Sequence, residues 1–121
     1  MSALIIHIKD LKKHYKPNHL VKVRILGTIL DFNPLHKHIL IKSIGLLSND
    51  QTTVKLLLEE DMNLSENPQL AYEGTLVDAY GLYNGESAVL LSITVITDPT
   101  VLYENRDILS EISSLKEKPL T

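Results

Sequence analysis

The sequence contains neither cysteine nor tryptophan, and it has only one phenylalanine and five tyrosines. Without cysteine the chain forms no disulfide and offers no thiolate ligand or nucleophile. This composition favours a reducing compartment such as the cytosol or the nucleus. At 121 residues the chain is long enough to bury the core of one domain without such crosslinks.

Long hydrophobic runs are also lacking. A typical run, at residues 88–91, is far shorter than the roughly 20 apolar residues that a transmembrane helix needs. The N-terminal stretch contains Lys9, Asp10, Lys12 and Lys13 and does not have the pattern of a signal peptide. We therefore expect a soluble intracellular protein with no membrane partner.

Motifs that carry catalysis are missing as well. The sequence has no glycine-rich phosphate loop and no GxSxG nucleophile elbow. His36 and His38 have the spacing of two metal ligands on a strand, but no convincing third ligand accompanies them. The carboxylates of residues 59–61 are typical of a solvated acidic loop. We expect a non-catalytic binding module with no metal site, cofactor or small-molecule substrate.

Positive charge is scarce in the second half of the chain. Residues 1–60 hold nine Lys/Arg against five Asp/Glu, a balance of +4, and residues 61–121 hold three against ten, a balance of −7. Such asymmetry can indicate a polyanion-binding face, or each half can simply solvate its own surface. Because the whole chain carries −3, tight autonomous binding to nucleic acid is not expected.

The stretch 21–31 predicts a long first strand that ends in a turn over residues 31–34. Apolar residues alternate with Lys22 and Arg24, which indicates one buried and one wet face with both cations outward. Gly27 interrupts the pattern and predicts a bend, because the backbone coils easily where there is no Cβ. A strand bent in this way can pair with different neighbours along its two halves, as in a small barrel.

Four further strands are predicted at residues 38–44, 52–58, 75–83 and 88–96. An acidic stretch without strand periodicity, residues 59–73, separates the second and third of these. Asn84-Gly85 predicts a hairpin with a type I′ turn between the last two. In the last strand, the period of two aims four residues at the core: Val89, Leu91, Ile93 and Val95.

This order of three strands, an irregular connection and a two-stranded hairpin matches an oligonucleotide/oligosaccharide-binding (OB) barrel. The expected fold class is all-β, a five-stranded OB-fold barrel with a C-terminal α-helix. Before the barrel, residues 3–8 are interpreted as an edge strand or a strap, followed by a helical turn from Asp10 through Tyr15. The predicted boundaries make residues 1–121 a single domain, with an N-terminal extension at 1–18, the barrel at 19–97 and the helix at 98–118.

The C-terminal helix is predicted from its cap and its periodicity. Asp98 supplies an N-cap oxygen and Pro99 suits the first helical position. The apolar positions fall on one face, with Asn105 inside the arc. That face either packs on the barrel or, being wider than a small barrel needs, leaves apolar surface for a partner. The candidate partner-binding residues are Val101, Leu102, Asn105, Ile108, Leu109, Ile112 and Leu115.

Candidate nucleic-acid contacts follow from the way OB barrels bind single strands, through the outer face of the second and third barrel strands and the adjoining loops. Phe32, Lys22 and Tyr80 are further candidates, and the alternative for each aromatic residue is a place in the core. The residues selected for nucleic-acid binding are Arg24, Lys37, Lys42, Lys55 and Tyr83.

Three segments carry a resemblance to a known family. They are Val-Lys-Val-Arg-Ile-Leu-Gly-Thr-Ile (21–29), Ser-Ile-Thr-Val-Ile (92–96) and the following Leu102-x-x-Asn105-x-x-x-Leu109. Together with the strand order, they resemble the small "Ten" subunits of the telomere-capping Cdc/Stn/Ten (CST) complex. The chain is also similar in plan to the smallest subunit of replication protein A.

The resemblance implies one OB barrel whose C-terminal helix pairs with the corresponding helix of the larger Stn subunit. That heterodimer would cap telomeres in the nucleus and regulate their replication, and this subunit would contribute weakly to single-stranded DNA binding. The helix-pairing role carries to the seven candidate partner residues named above. The alternative is the smallest subunit of a replication protein A-like single-stranded DNA-binding complex. A small enzyme or a carbohydrate-binding barrel has no supporting motif.

Overall fold

The computed structural model describes residues 2–59 and 68–114, which form six β-strands, two 3-10 helices and two α-helices. The 3-10 helices span Ile8–His14 and Pro68–Ala71. Two α-helices follow the last strand: α1 (Pro99–Glu104) and α2 (Arg106–Ser114). The strands are β1 (Ala3–Ile5), β2 (Val21–Asn33), β3 (His38–Ser43), β4 (Thr53–Leu57), β5 (Leu76–Tyr83) and β6 (Ser87–Val95).

The strands form one sheet in the order β1-β2-β3-β4-β6-β5, and a pairing between β2 and β5 closes it. The β4–β6 pairing is parallel, whereas β2–β3, β3–β4, β2–β5 and β5–β6 are antiparallel. This is the predicted five-stranded OB barrel, formed by β2 to β6, with a short C-terminal helical segment. β1 adds to the barrel from outside, parallel to β2 at residues 23–25.

Barrel closure depends on the exchange of partners along β2. Residues 21–28 pair with β5, and residues 27–33 pair with β3, so the exchange occurs at Gly27 as predicted. A Cβ at Gly27 would lie 2.9 Å from Ile41 Cδ1 and 3.1 Å from the Lys42 carbonyl oxygen. The glycine therefore lets β3 approach β2 closely at the bend. β2 also runs on to Asn33, two residues past the predicted end at residue 31.

A β-bulge lies in β6 where the register to β5 shifts. Gly81 pairs with Leu90, but the next residue of β5 in the register, Tyr80, pairs with Ser92. Leu91 is therefore the extra residue of the bulge. It is exposed rather than directed into the barrel.

The bulge at Leu91 reverses which residues of β6 face the barrel interior. Residues packed in or against the interior are Ala88 and Leu90 before the bulge and Ile93 and Val95 after it. The prediction for Ile93 and Val95 is confirmed, whereas the prediction for Val89 and Leu91 is wrong. One inserted residue moves every following side chain to the other face, and the period of two does not reveal it.

The predicted hairpin between β5 and β6 is confirmed, but its turn is not type I′. Among the residues of this turn only Gly85 has a positive φ, of 105°, whereas type I′ needs two. The Asn84 side-chain oxygen instead accepts the backbone N–H groups of Glu86 and Ser87, each at 2.9 Å. The side chain thus supplies the turn with hydrogen bonds that the backbone geometry does not.

Asp50 ties the N-terminal 3-10 helix to the loop after β3. Its carboxylate accepts the backbone N–H of Lys9 at 2.9 Å, and the N–H and hydroxyl of Thr52 at 3.1 and 2.8 Å. One residue earlier in the helix, the Ile8 N–H donates to the buried Ser43 hydroxyl at 2.9 Å. These bonds satisfy backbone donors of the first helical turn that have no partner within the helix.

The C-terminal helical segment divides at Asn105 instead of forming the one continuous helix expected. Asp98 caps α1 as predicted, since its side chain accepts the Thr100 N–H at 3.1 Å. Backbone bonds from Asn105 to Val101 and from Leu109 to Asn105, 3.1 and 2.9 Å long, continue the helical pattern across the junction. The predicted end of the helix, from residue 115 to 118, lies outside the described residues. Within the described residues, no helix has both the length and the apolar character needed to cross a membrane.

Gly27→Ala is expected to destabilise the barrel by about 1–3 kcal/mol, because the added methyl group overpacks a contact with a backbone carbonyl. Gly45→Ala is the matched control, since a Cβ there meets nothing within 4 Å. Urea unfolding of the two variants measures the difference. Equal midpoints for both variants and the wild type would contradict the role of Gly27.

Asp50→Asn is expected to lower stability at neutral pH by about 1–2 kcal/mol, because hydrogen bonds to a charged acceptor weaken. Partial burial raises the pKa of Asp50, but hydrogen bonds from Lys9 and Thr52 and the charge of Lys9 together bring it below its ordinary value of 3.8. The carboxylate therefore stabilises the fold above that value, and its contribution is lost as the pH falls through the folded-state pKa.

Urea unfolding between pH 7 and pH 3 tests this dependence on Asp50. The gap between wild type and Asp50→Asn should narrow as the medium becomes more acidic. Asp31→Asn, which alters an exposed carboxylate, is the control and should show no comparable gap. A gap that stays constant down to pH 3 would contradict the assignment.

Candidate partner-binding and nucleic-acid surfaces

A second apolar cluster, separate from the barrel interior, seats the C-terminal helices. Its buried members are Leu4, Leu26 and Ile44. Leu102 of α1 and Leu109 of α2 pack against this cluster and are half-buried. Two of the predicted partner-binding residues therefore attach the helices to their own barrel. Further half-buried members are Leu47, Leu76 and Ile96.

The other apolar residues of the helices remain uncovered. Val101 is 51% exposed, Ile108 56% and Ile112 45%. On a helical wheel with 100° per residue, these three residues and Asn105 fall within an arc of about 60°. The centre of this arc is roughly 80° from the direction of Leu102 and Leu109, which pack on the barrel. We call these four residues the helix stripe: Val101, Asn105, Ile108 and Ile112. Leu115, the remaining predicted partner residue, lies outside the described residues.

The helix stripe has the spacing of a coiled-coil seam. Its residues follow one another at intervals of four, three and four, the alternation of heptad d and a positions. Asn105 then occupies an a position, where a single polar residue commonly fixes register at some cost in stability. In this structure its side-chain amide donates to the Val101 carbonyl at 2.8 Å. The interval pattern separates the stripe from Leu102 and Leu109 and is visible in the sequence.

Lys42 and Lys55, predicted to contact nucleic acid, share the outer face of the β3–β4 pair. Ile41 and Val54 face the interior opposite each other, which places the flanking Lys42 and Lys55 outward on neighbouring strands. Lys37 lies beside this face in the exposed turn between β2 and β3, with φ of 53°. These three cations form the part of the predicted site that the fold brings together.

Arg24 lies on a different part of the surface, on the outside of the β2–β5 pair. Its guanidinium donates two short bonds to the Asp78 carboxylate, at 2.7 and 2.9 Å, and lies 5.6 Å from the centre of the Tyr80 ring. The hydrogen bond to Asp78, opposed by partial burial, raises the pKa of Arg24. The charge that the sequence offered to a phosphate is thus largely neutralised within the sheet. Lys22 points outward beside it, 5.8 Å from the same ring.

Tyr83 is the one predicted nucleic-acid residue that the structure contradicts. Its side chain is 2% exposed in the barrel core, and its hydroxyl donates to the Gly85 carbonyl at 2.8 Å. Burial raises its pKa, with smaller contributions from Glu86 and Tyr15. Tyr83 is an even number of positions from Val77 and Ala79 along β5, and both of those residues are buried. Because side chains of a strand alternate between its two faces, Tyr83 points inward as well. Its ring therefore stacks on no base, and Phe32 likewise packs against the core.

His36 and His38, the pair considered as metal ligands, stack on each other with ring centres 6.4 Å apart. In residues 2–59 and 68–114, no three His, Cys, Asp or Glu side chains form a group that could hold a metal ion. Of the surfaces predicted from the sequence, the helix stripe and the cationic outer face of the β3–β4 pair remain candidates for binding.

These features define an OB-fold module with an uncovered helix face, and known structures share its fold. A chain of the crystal structure of yeast Stn1 and Ten1 superposes with a TM-score of 0.69 at 14% identity, covering 93% of this chain and 92% of that chain. A chain of the S. pombe Stn1–Ten1 complex superposes with a TM-score of 0.60 at 15% identity, covering 89% and 93%. No protein-family model and no curated protein matches the sequence. The chain is thus similar in fold, over nearly its whole length, to subunits of Stn1–Ten1 structures.

Tyr83→Phe is expected to lower the free energy of unfolding by about 0.5–1.5 kcal/mol, because it removes the bond to Gly85 and keeps the ring. Tyr103→Phe, which alters an exposed tyrosine of α1, is the control and should be neutral. Thermal or urea unfolding provides the measurement. If Tyr83→Phe were as neutral as the control and instead weakened single-strand binding, the buried placement of Tyr83 would be wrong.

Proposed function

We propose that this chain is the small, non-catalytic subunit of a telomere-capping complex of the Cdc/Stn/Ten type. In this role it pairs through its C-terminal helix with a larger Stn-type OB-fold subunit, and the heterodimer protects telomeres in the nucleus and regulates their replication. The observation that carries the proposal is the helix stripe, an apolar heptad seam on a helix already held to the barrel by another face. The similarity in fold to chains of two Stn1–Ten1 structures supports it.

The separation of the two helix faces explains why the helix stripe suits a partner. Leu102 and Leu109 already cover part of the second apolar cluster on the outside of the barrel. Val101, Ile108 and Ile112 bury no comparable surface within the described chain, although covering a residue of this type fully gives about 1.5–3 kcal/mol. Docking of one helix along the stripe would therefore contribute several kcal/mol towards a stable heterodimer.

The occupant we propose for the helix stripe is an amphipathic helix of the larger subunit with a matching heptad seam. Such a helix would place apolar knobs against Ile108 and Ile112 and a polar side chain opposite Asn105. The Asn105 amide would then exchange its bond to the Val101 carbonyl for one across the interface. A polar pair at this position would disfavour a shifted register, because a shift would bury Asn105 against apolar side chains.

The contribution of this subunit to single-stranded DNA binding is proposed to be weak. Lys37, Lys42 and Lys55 provide a cationic face, but Arg24 is paired with Asp78 and Tyr83 is buried. The net charge of −3 adds no long-range attraction to a polyanion. Most of the affinity of the complex for DNA would therefore come from other subunits.

The double variant Ile108→Glu/Ile112→Glu is expected to weaken binding to the Stn-type subunit at least about 100-fold, since each substitution buries a charge at the interface centre. Co-purification of the two co-expressed chains, followed by a titration, measures the loss. Ser110→Glu/Ser114→Glu is the matched control, because it adds the same charge to exposed positions of α2 away from the stripe.

Folding of both helix variants is checked by circular dichroism and thermal unfolding, since the stripe is exposed and the barrel core is untouched. If Ile108→Glu/Ile112→Glu co-purified like the control, the partner role of the helix stripe would be wrong. If the wild-type chain bound the middle subunit of replication protein A and not the Stn-type subunit, the telomeric assignment would be wrong.

A further inference from the structure

The N-terminal 3-10 helix, Ile8–His14, presents three rows of side chains because its residues repeat every three positions. Ile8, Leu11 and His14 form the first row, in which Ile8 and Leu11 are buried in the barrel core and His14 is half-buried. Asp10 and Lys13 form the second row, and their side chains make an ion pair at 3.1 Å. The first row therefore serves mainly to pack against the core, and the two charges of the second row neutralise each other.

The third row consists of Lys9, Lys12 and, one position past the end of the helix, Tyr15. All three are exposed. The Lys9 backbone is fixed by its bond to Asp50, and the Asp50 carboxylate also interacts with the charge of the Lys9 side chain. Within the described residues, neither the Lys9 ammonium nor that of Lys12 forms a direct ion pair. The helix thus aligns two lysines and an aromatic ring along one edge.

This row borders a groove between the 3-10 helix and the turn that joins β5 to β6. Lys9 and Lys12 line a cavity of about 290 Å³ together with Thr52 and Thr53 at the start of β4. An adjoining cavity of about 380 Å³ is lined by Tyr15 and Asn84. Gly85 and Glu86 line both cavities, so the two adjoin at the β5–β6 turn, and we refer to them together as the groove.

Tyr15 sits over the turn that forms the far wall of this groove. A Cβ at Gly85 would lie 2.9 Å from a ring carbon of Tyr15, so the ring rests on the glycine backbone. The ring keeps 45% of its surface exposed. Support by a turn and exposure to solvent are what an aromatic platform for a nucleobase requires.

The groove also lies in the most basic part of the chain. Residues 9–24 contain six Lys/Arg and one acidic residue, Asp10, although the whole chain is acidic. Glu86 on the opposite wall and Asp50 beside Lys9 are the local acidic groups, and within the described residues Glu86 makes no ion pair with a lysine. The Glu86 carboxylate repels any anion close to it, but it can accept hydrogen bonds from the exocyclic amino group of a base.

We propose that this groove binds a short segment of single-stranded nucleic acid, with phosphates on Lys9 and Lys12 and a base against Tyr15. The inference deepens the proposed function, on which it rests for the presence of a single strand in the complex. It places the contact on the 3-10 helix and the β5–β6 turn instead of on the outer face of β3 and β4, where Lys42 and Lys55 lie. A cationic track beside an aromatic platform is the general arrangement for single-strand binding without base specificity.

The groove and the helix stripe are formed by different parts of the chain. Lys9, Lys12 and Tyr15 belong to the N-terminal segment, whereas the stripe belongs to α1 and α2. Each surface can therefore be changed by substitution without altering a residue of the other.

The test is fluorescence anisotropy of a labelled single-stranded oligonucleotide of about 20 nucleotides, titrated with the full-length chain at several salt concentrations. Tyr15→Ala should weaken binding about tenfold, because it removes one stacking platform. Lys12→Ala should weaken it and lower the salt dependence by about 0.7 per lost phosphate contact. Lys13→Ala is the matched control: it removes the same charge one position away, from the row paired with Asp10, and should have a smaller effect.

Three results would overturn the proposal. The first is no binding by the wild type at low salt, and the second is equal effects of Lys12→Ala and Lys13→Ala with none from Tyr15→Ala. The third is loss of binding only in Lys42→Ala/Lys55→Ala, which would locate the single strand on the sheet. Competition by a poly-glutamate peptide as effective as an unlabelled oligonucleotide would also count against a nucleic-acid site.

The proposals for the groove and for the helix stripe can be tested independently, because each variant should lose only one of the two binding activities. Ile108→Glu/Ile112→Glu should bind the oligonucleotide like the wild type while losing the partner subunit. Lys12→Ala and Tyr15→Ala should retain the partner subunit. Weakened oligonucleotide binding by Ile108→Glu/Ile112→Glu, with no loss in Lys12→Ala or Tyr15→Ala, would locate the single strand on the helices and would overturn the inference.

Discussion

The close approach of β3 to β2 at Gly27 is the constraint on which the rest of the structure depends. Because β2 exchanges β5 for β3 at this residue, one strand supplies both sides of the barrel seam. Ile41, which would be struck by any Cβ at position 27, is itself buried in the interior. The bend and the packing of the core are therefore one feature, and closure of the barrel removes the open strand edges that a flat sheet would expose.

Closure also creates the two ends to which the functional surfaces belong. Leu26 lies next to Gly27 on the outside of the barrel, where with Leu4 and Ile44 it forms the seat for α1 and α2. Leu102 and Leu109 pack on this seat, whereas Val101, Ile108 and Ile112 of the helix stripe remain exposed. At the start of β2, the barrel is instead covered by the 3-10 helix, whose inner row reaches the core.

Patterns with a clear physical origin in the sequence predicted the architecture well. Period-two alternation predicted the strand order. A glycine within a strand pattern predicted the exchange at Gly27, and a capping side-chain oxygen predicted the role of Asp98. The bulge at Leu91 could not be predicted in the same way, because no residue type in this strand indicates where the extra residue lies. The type I′ turn predicted at Asn84-Gly85 was wrong because only Gly85 has a positive φ, and the Asn84 side chain accepts two further backbone N–H groups.

The candidate sites were harder to predict because they depend on neighbours from distant parts of the chain. Strand parity alone directs Tyr83 inward, whereas the pairing that neutralises Arg24 brings Asp78 from 54 residues away. The alignment of Lys9, Lys12 and Tyr15 requires a 3-10 helix, whose period of three distinguishes it from the brief α-helical turn that the same residues would suggest.

The charge asymmetry of the sequence becomes an asymmetry in space once the barrel is closed. Lys9 and Lys12 line the groove, while exposed Glu104, Asp107 and Glu111 lie on α1 and α2 beyond the other end of β5. A polyanion approaching this molecule is attracted to one end and repelled from the other. In the proposed complex, this arrangement would direct a single strand towards the groove and away from a partner helix on the stripe.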